Sequence, residues 1–408
     1  MDRQTCLVVS CLVAGLFFGS NPSIALAKPA ATPRVFLMNA AKLEQVKKGI
    51  RSNDKQYQVA LASIENAAKK ALAGATYSVT SKTVTPPSGD KHDYMSQAPY
   101  FWPDPTKKDG LPYIRKDGER NPEINKITDH SNMDKMVGAV GSLSLAYYFK
   151  GDEAYAGKAA ELLRAWFLDP ATRMNPNLQY AQGTPGINTG RGIGLIETRG
   201  LTRLVDYVGL LDGSKSFTEK DRQGIVDWFS KFLAWMRESK NGKDESAATN
   251  NHGTFYDVQT ASFALFVGKP ELARSILETA KQKRVALQIE PDGSQPLELA
   301  RTKAWSYSIM NLSGLMDLAQ LGENVGVDLW NFETKDGRGI RKAIDFLYPF
   351  SIGEKWKYQQ LGEWPPQELF PLMYRAAIVY RDDKFRSMMT KIPAADPAGK
   401  DYLVNAEN

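Results

Sequence analysis

The spacing of apolar residues constrains this fold more than any other feature, because they recur at helical intervals along most of the chain. MNAAKLEQVKKGIR and QYQVALASIENAAKKALA each place an apolar stripe on one face of a helix. MDKMVGAVGSLSLAYYF and EAYAGKAAELLRAWFLD do the same, joined by the short breaker KGD. TEKDRQGIVDWFSKFLAWMRES opens with a Thr cap and an acidic residue in its first turn. KPELARSILETAKQKRVAL, WSYSIMNLSGLMDLAQLG, GIRKAIDFLYPF and PQELFPLMYRAAIVYRDD continue the pattern. Alternating strand patterns are scarce and no fixed-period repeat is visible, which argues against a regular solenoid. Short connections make consecutive helices antiparallel neighbours. So many hairpins in one chain predict an all-α (α/α) toroid, an incomplete α/α barrel, rather than a small bundle.

The first residues follow another rule. A short charged start, MDR, precedes the apolar run CLVVSCLVAGLFFG and an Ala-Leu-Ala pattern at Ala25 to Ala27. That is the anatomy of a secretory signal peptide over residues 1–27, cleaved after Ala27, and the run is too short to span a bilayer. Lipidation of Cys11 is the lesser alternative, since the apolar run continues past it. Both cysteines, Cys6 and Cys11, fall in this segment. The mature chain is therefore expected in the periplasm or outside the cell, held by its core without disulfides. Length alone would divide it into two or three domains, but the run of hairpins points to one toroid domain over 28–408. The net charge of +6 and pI near 9.0 favour an anionic partner. Export makes nucleic acid a poor fit, no membrane contact is expected after cleavage, and an acidic polysaccharide suits best.

Two stretches break the helical pattern. Residues 84–128 are rich in Pro, Gly, Asp and aromatics, and Tyr94, Tyr100, Phe101 and Trp102 argue for an ordered substrate-binding loop. Residues 174–194 include GINTGRGIG, whose glycines follow no strand and lack the Gly-x-Gly-x-x-Gly spacing, which excludes a nucleotide loop. The three histidines, His92, His130 and His252, are far apart and no HExxH occurs, so neither a metal nor another cofactor is expected. No Gly-x-Ser-x-Gly elbow is present. Carboxylates for a glycosidase are plentiful but none stands in a diagnostic setting.

The segment NNHGTFYDVQ sets Asn250, Asn251 and His252 where an apolar helix begins. By itself this reads as a cap and a satisfied histidine. LELARTKAWSYS adds Arg301 and Tyr307. Together an amide, an imidazole, a guanidinium and a phenol fit one reaction, β-elimination on a polymer of uronic acids. Removing the proton on C5 is hard beside a carboxylate, so that charge must be neutralised, here by Asn251 and His252. Tyr307, ordinarily titrating near 10, can act as base and then acid if a cation such as Arg301 brings its phenolate within reach. Six residues of ideal helix turn by about 600°, leaving Arg301 and Tyr307 about 120° apart. Arg301 is therefore expected in a turn before the helix, and Tyr307 in its first turns.

HDYMSQAPYFWPDP, GINTGRGIG, NNHGTFYDVQ and LELARTKAWSY together resemble signatures of the alginate lyase superfamily of α/α-toroid polysaccharide lyases, over most of residues 84–380. This chain has one residue fewer between the Arg and the Tyr than the better-known alginate lyases. In that it is similar to polysaccharide lyase family 38, which includes alginate and glucuronan lyases. The resemblance implies Asn251, His252, Arg301 and Tyr307 as the catalytic set. Tyr94, Tyr100 and Trp102 then become candidates for stacking on sugars, His92 and Gln97 for reaching hydroxyls, and Asn188 and Arg191 for binding a neighbouring carboxylate, with Asn250 alongside. For Arg191 an ion pair with Glu197 is the competing expectation. Mannuronate-rich alginate is the first expected substrate and glucuronan the second. Two other readings stay open: an α/α-toroid glycoside hydrolase with paired carboxylates, and a non-catalytic binder of acidic glycans.

Overall fold

Side-chain caps written into the sequence start half of the described α-helices. The computed structural model describes Met1 and residues 32–392; the expected signal peptide, its cleavage point, and Cys6 and Cys11 lie outside the described residues. Asn39 and Asp54 accept backbone N–H groups at the starts of α1 (Ala40–Arg51) and α2 (Lys55–Leu72). α3 (Asp129–Lys150) stops at Gly151, whose φ of 76° suits a residue without Cβ. α4 (Glu153–Phe167) is capped by Asp152. α5 (Leu201–Gly209) leads to α6 (Glu219–Glu238), where Thr218 and Asp221 form a reciprocal capping box. α7 (Lys240–Ala247) and α8 (Asn251–Phe266) follow, then α9 (Pro270–Ala280). The sequence pattern runs α9 on to residue 287, but Lys281–Ala286 winds as a π-helix. α10 (Pro296–Leu299), α11 (Ala304–Glu323), α12 (Ile340–Ser351), α13 (Phe370–Tyr380) and α14 (Asp383–Met389) complete the described α-helices.

From Thr32 onward the described residues belong to one compact unit. α3, α5, α8 and α11 pack against one another in succession, while α2, α4, α6, α9 and α12 pack on their flanks. This alternation of inner and outer helices is the (α/α) toroid. Of these, α8 is buried nearly all round, as a doubly covered helix must be. Every residue of α8 is buried except His252. Aromatic packing ties the layers: Phe167 of α4 meets Trp228 of α6 at 4.8 Å, and Phe229 meets Phe263 of α8 at 5.0 Å between centroids. Truncating such a ring to alanine costs about 3–5 kcal/mol.

Both irregular stretches are ordered by pairing and by buried charge. Residues 84–128 carry β1 (Met95–Gln97), β2 (Phe101–Trp102) and β3 (Ile114–Arg115), and 174–194 carries β4 (Tyr180–Gly183). β1 pairs with β4 in parallel and β2 with β3 antiparallel. A fully buried Lys82–Asp129 ion pair of 2.9 Å holds the base of the first loop, and Asp129 also accepts the Met95 N–H. Residues 188–194 lie against β4 so closely that a Cβ on Gly190 would sit 2.1 Å from the Gln179 carbonyl oxygen. Close backbone approach, rather than phosphate binding, explains the glycines there.

Candidate active site

Asn251 and His252 form the first turn of α8, and each is held by a buried carboxylate. Glu298 Oε1 accepts the Asn251 backbone N–H and Oε2 accepts its Nδ2, both at 2.7 Å. The Asn251 Oδ1 is buried with no hydrogen-bond partner. His252 Nδ1 lies 2.7 Å from Glu245 Oε1 of α7, with Glu245 1% exposed. Burial pushes the Glu298 carboxyl up, opposed by the Asn251 hydrogen bonds and the charges of Arg301 and His252. Asn250 serves the fold, since its side chain accepts the His252 N–H as the α8 cap. Behind this turn, buried Arg284 donates to Asp257, Ala248 and Ser246. A Cβ on Gly253 would meet the Ala248 oxygen at 2.0 Å and Arg284 Nη1 at 2.3 Å, so NNHG needs its glycine. Arg284 also sits within the π-helical stretch, where one tertiary demand breaks the regular period.

Arg301 lies in a bend before α11 and Tyr307 in that helix's first turn, as their angular separation on a regular helix requires. The Arg301 guanidinium stands 3.8 Å from the centre of the Tyr307 ring and grips Asp117 with two hydrogen bonds, Nε at 3.0 Å and Nη2 at 2.8 Å. Burial raises the Asp117 carboxyl, but Arg301 more than reverses that and holds it well below the usual carboxylate range. Tyr307 departs from expectation. Burial, then its 2.9 Å hydrogen bond to the Tyr100 hydroxyl, pushes the phenol above its ordinary value, and Arg301 offsets only part of this. With Arg301 neutralised by Asp117, desolvation wins.

The loop residues separate into several kinds. Tyr100 reaches the Tyr307 hydroxyl. Trp102 is half-buried, donating to the Glu119 carbonyl, with Lys116 Nζ 5.3 Å over its ring. Tyr94 cannot stack on a sugar: it is 0% exposed and donates to Glu197, so it is a loop anchor. His92 is tied at 2.6 Å to the Arg173 carbonyl, and Asn188 Oδ1 accepts from Thr184 within its own turn. The Arg191–Glu197 ion pair does not form, since Glu197 takes the hydroxyls of Tyr94 and Ser96. Arg191 instead donates to Gln182 at 2.9 Å and lies 4.9 Å over Phe101. A cavity of about 870 Å³ between α4 and α6 is lined by none of the candidate residues. Among the described residues, no group of three or more His, Cys, Asp or Glu is arranged to hold a metal ion.

Glu245, Asp117 and the positioning role of Glu298 escape sequence reasoning. The Asp117–Arg301 contact spans 184 positions and the Glu298–Asn251 contact 47, so no local spacing reports either.

A family model described as alginate lyase matches residues 78–356. The crystal structure of an alginate lyase from Bacteroides ovatus is 41% identical, with a TM-score of 0.88, covering 91% of this chain and 99% of that one. Alginate lyase A1-III from Sphingomonas species A1 has a TM-score of 0.55 at 15% identity, covering 85% and 95%. A histidine-to-alanine variant of A1-III, complexed with tetrasaccharide, has a TM-score of 0.57 at 16% identity, covering 96% and 99%. Likeness at those two identities speaks for the fold alone. No curated protein matches the chain.

Proposed function

The chain belongs to the alginate lyase family, and from that premise we propose that it is an exported lyase cleaving 1,4-linked polyuronates by β-elimination, with polymannuronate as first substrate and glucuronan as second. The observation that carries the reading is the pairing of two units: the Asn251–His252 turn on its buried carboxylates, and the Arg301–Tyr307 stack beside Asp117. Glu298 grips Asn251, and its backbone carbonyl accepts the Arg301 N–H at 3.1 Å, which ties the two units together.

In the proposed cycle, Asn251 and His252 hydrogen-bond the carboxylate of the uronate bound at the site of cleavage. The Tyr307 phenolate takes the C5 proton, and the developing enediolate is stabilised where its charge appears. The C4–O bond then breaks, its electrons leave with the glycosidic oxygen, and the C5 electron pair forms the C4=C5 bond. The Tyr307 phenol, now protonated, returns that proton to the departing oxygen. Because burial and Tyr100 favour the protonated phenol, the phenolate is a minor species in the free protein. In the free protein Tyr307 Oη donates to the Tyr100 hydroxyl, so that hydrogen bond turns round when the phenolate forms. No cofactor takes part in this scheme. Export to the periplasm or medium rests on the N-terminal apolar segment alone.

Incubation with polymannuronate, polyguluronate and glucuronan, followed by ultraviolet absorbance and reducing-end assay, tests the reading. The expected result is absorbance from the conjugated uronate rising in step with new reducing ends. Reducing ends without absorbance would mean a hydrolase, and binding with neither would mean a glycan binder.

A further inference from the structure

A chain of buried amides joins α8 to α11 behind the candidate active site. Asn311 of α11 donates Nδ2 to Gln288 Oε1 at 2.9 Å and to Gln295 Oε1 at 2.8 Å. Thr254 of α8 donates its hydroxyl to the same Gln288 oxygen at 2.9 Å. Each glutamine turns its own NH₂ to a backbone carbonyl beside a candidate residue. Gln288 Nε2 reaches the Asn250 oxygen at 3.3 Å, and Gln295 Nε2 the Ser308 oxygen at 3.1 Å. Asn250 precedes Asn251, and Ser308 follows Tyr307. Gln295 also opens α10, where its backbone oxygen accepts the Glu298 N–H at 3.0 Å.

This network has one hydrogen-bonding pattern. A backbone carbonyl can only accept, so the ends at Asn250 and Ser308 fix which way both glutamines point. Both Oε1 atoms then face Asn311, and only an NH₂ can meet two acceptors at once. Asn311 and Thr254 are 0% exposed, and Gln295 is 1% exposed. Amides sealed from water carry a desolvation cost that apolar side chains of the same size would not. Apolar side chains would fill the space in several arrangements, whereas these amides fit in one. The two helices also approach closely here, since a Cβ on Gly314 of α11 would lie 2.9 Å from Thr254 Cγ2.

We propose that Asn311 is a positioning residue for the elimination, its amide setting the Tyr307 phenol against the Asn251–His252 turn. The inference rests on the lyase reading and adds to it a residue remote from the substrate. Tyr307 lies one turn before Asn311 on the same side of α11, so a shift or rotation of the helix at Asn311 moves the phenol. That phenol has to meet the C5 proton of a sugar whose carboxylate Asn251 and His252 hold. The separation is set between two helices, and Asn311 ties them through Gln288. Its loss should therefore appear in turnover rather than in binding.

The test compares the unsubstituted protein with Asn311→Leu, which fills similar space without the NH₂. Turnover of polymannuronate is expected to fall by about tenfold to a hundredfold, the scale of up to an ångström of misplacement. Calorimetric binding of a mannuronate tetrasaccharide, measured in the Tyr307→Phe background with and without Asn311→Leu, should change by less than about threefold. Gln288→Met, which cuts only the α8 end, stands in if the leucine variant does not fold, with about a tenfold loss of turnover expected. A structural role alone would lower the melting temperature and leave the folded protein turning over at the unsubstituted rate. Turnover within about twofold of that rate, or an affinity loss equal to the turnover loss, overturns the inference. If the unsubstituted protein forms unsaturated product, that failure belongs to Asn311 alone. If it forms none, the lyase reading and the inference fall together.

Discussion

The helical wall of the site and its loop wall hold their polar groups differently, though each keeps buried atoms without a partner, Asn251 Oδ1 and Glu245 Oε2 on the first and Gln97 Nε2, Thr184 Oγ1 and Arg191 Nε on the second. On the helical wall the functional groups lean on counter-groups: Asn251 on Glu298, His252 on Glu245, Arg301 on Asp117. On the loop wall Gln97, Thr184 and Arg191 keep donors without protein partners. Groups proposed to act on a reacting centre need a fixed geometry, which buried carboxylates supply.

The largest break in this contrast would come from Glu298→Gln. The glutamine can still accept the Asn251 backbone N–H, but its own NH₂ then faces the Asn251 Nδ2. Turnover is expected to fall by about a hundredfold, the scale of an ångström of misplacement, with tetrasaccharide affinity changed much less. Steady-state kinetics beside calorimetry checks this, and an equal loss in both would erase the distinction between positioning and binding.

Asp117→Asn probes the same wall through pH. A carboxyl whose folded value is depressed adds stability above its unfolded value, about 3.9, and loses it as pH falls through the folded one. The substituted protein should therefore melt lower than the parent at pH 7, and the gap should close as the pH drops below about 4. A gap that stays constant down to about pH 2 would deny Asp117 its charge-dependent role.

Tyr94→Phe sharpens the contrast from the loop side with the smallest effect. Losing its hydrogen bond to Glu197 should cost about 2 kcal/mol of stability and leave KM for polymannuronate within twofold. A raised KM without a stability change would return Tyr94 to the sugar-binding surface.

Much of the toroid is legible in the sequence, because helical period and caps are local. Thr218 with Asp221, and Arg301 placed six residues before Tyr307, each express a rule acting within one or two turns. The π-helical winding at Lys281–Ala286 is not legible, since it answers to Arg284 reaching Asp257 and the 246–248 backbone. The candidate chemistry is visible at Asn251, His252, Arg301 and Tyr307 because those residue types match one reaction. Their supports are not: Glu245, Glu298 and Asp117 are three of the 46 acidic residues; distant pairing distinguishes Glu298 and Asp117, and the turn between α7 and α8 distinguishes Glu245. Aromatic content marks 84–128 as an ordered loop without telling which ring faces a ligand. Tyr94 is sealed against Glu197 while Tyr100, six residues on, meets Tyr307.

In the proposed cycle one phenol moves the proton while the amide and imidazole quiet the carboxylate. The most direct test of that cycle compares the unsubstituted protein with Tyr307→Phe on polymannuronate, following the unsaturated product by ultraviolet absorbance and substrate binding by calorimetry. Steady product is expected from the first, almost none from the second, and similar affinity in both. Product formed by Tyr307→Phe at the unsubstituted rate would contradict that cycle.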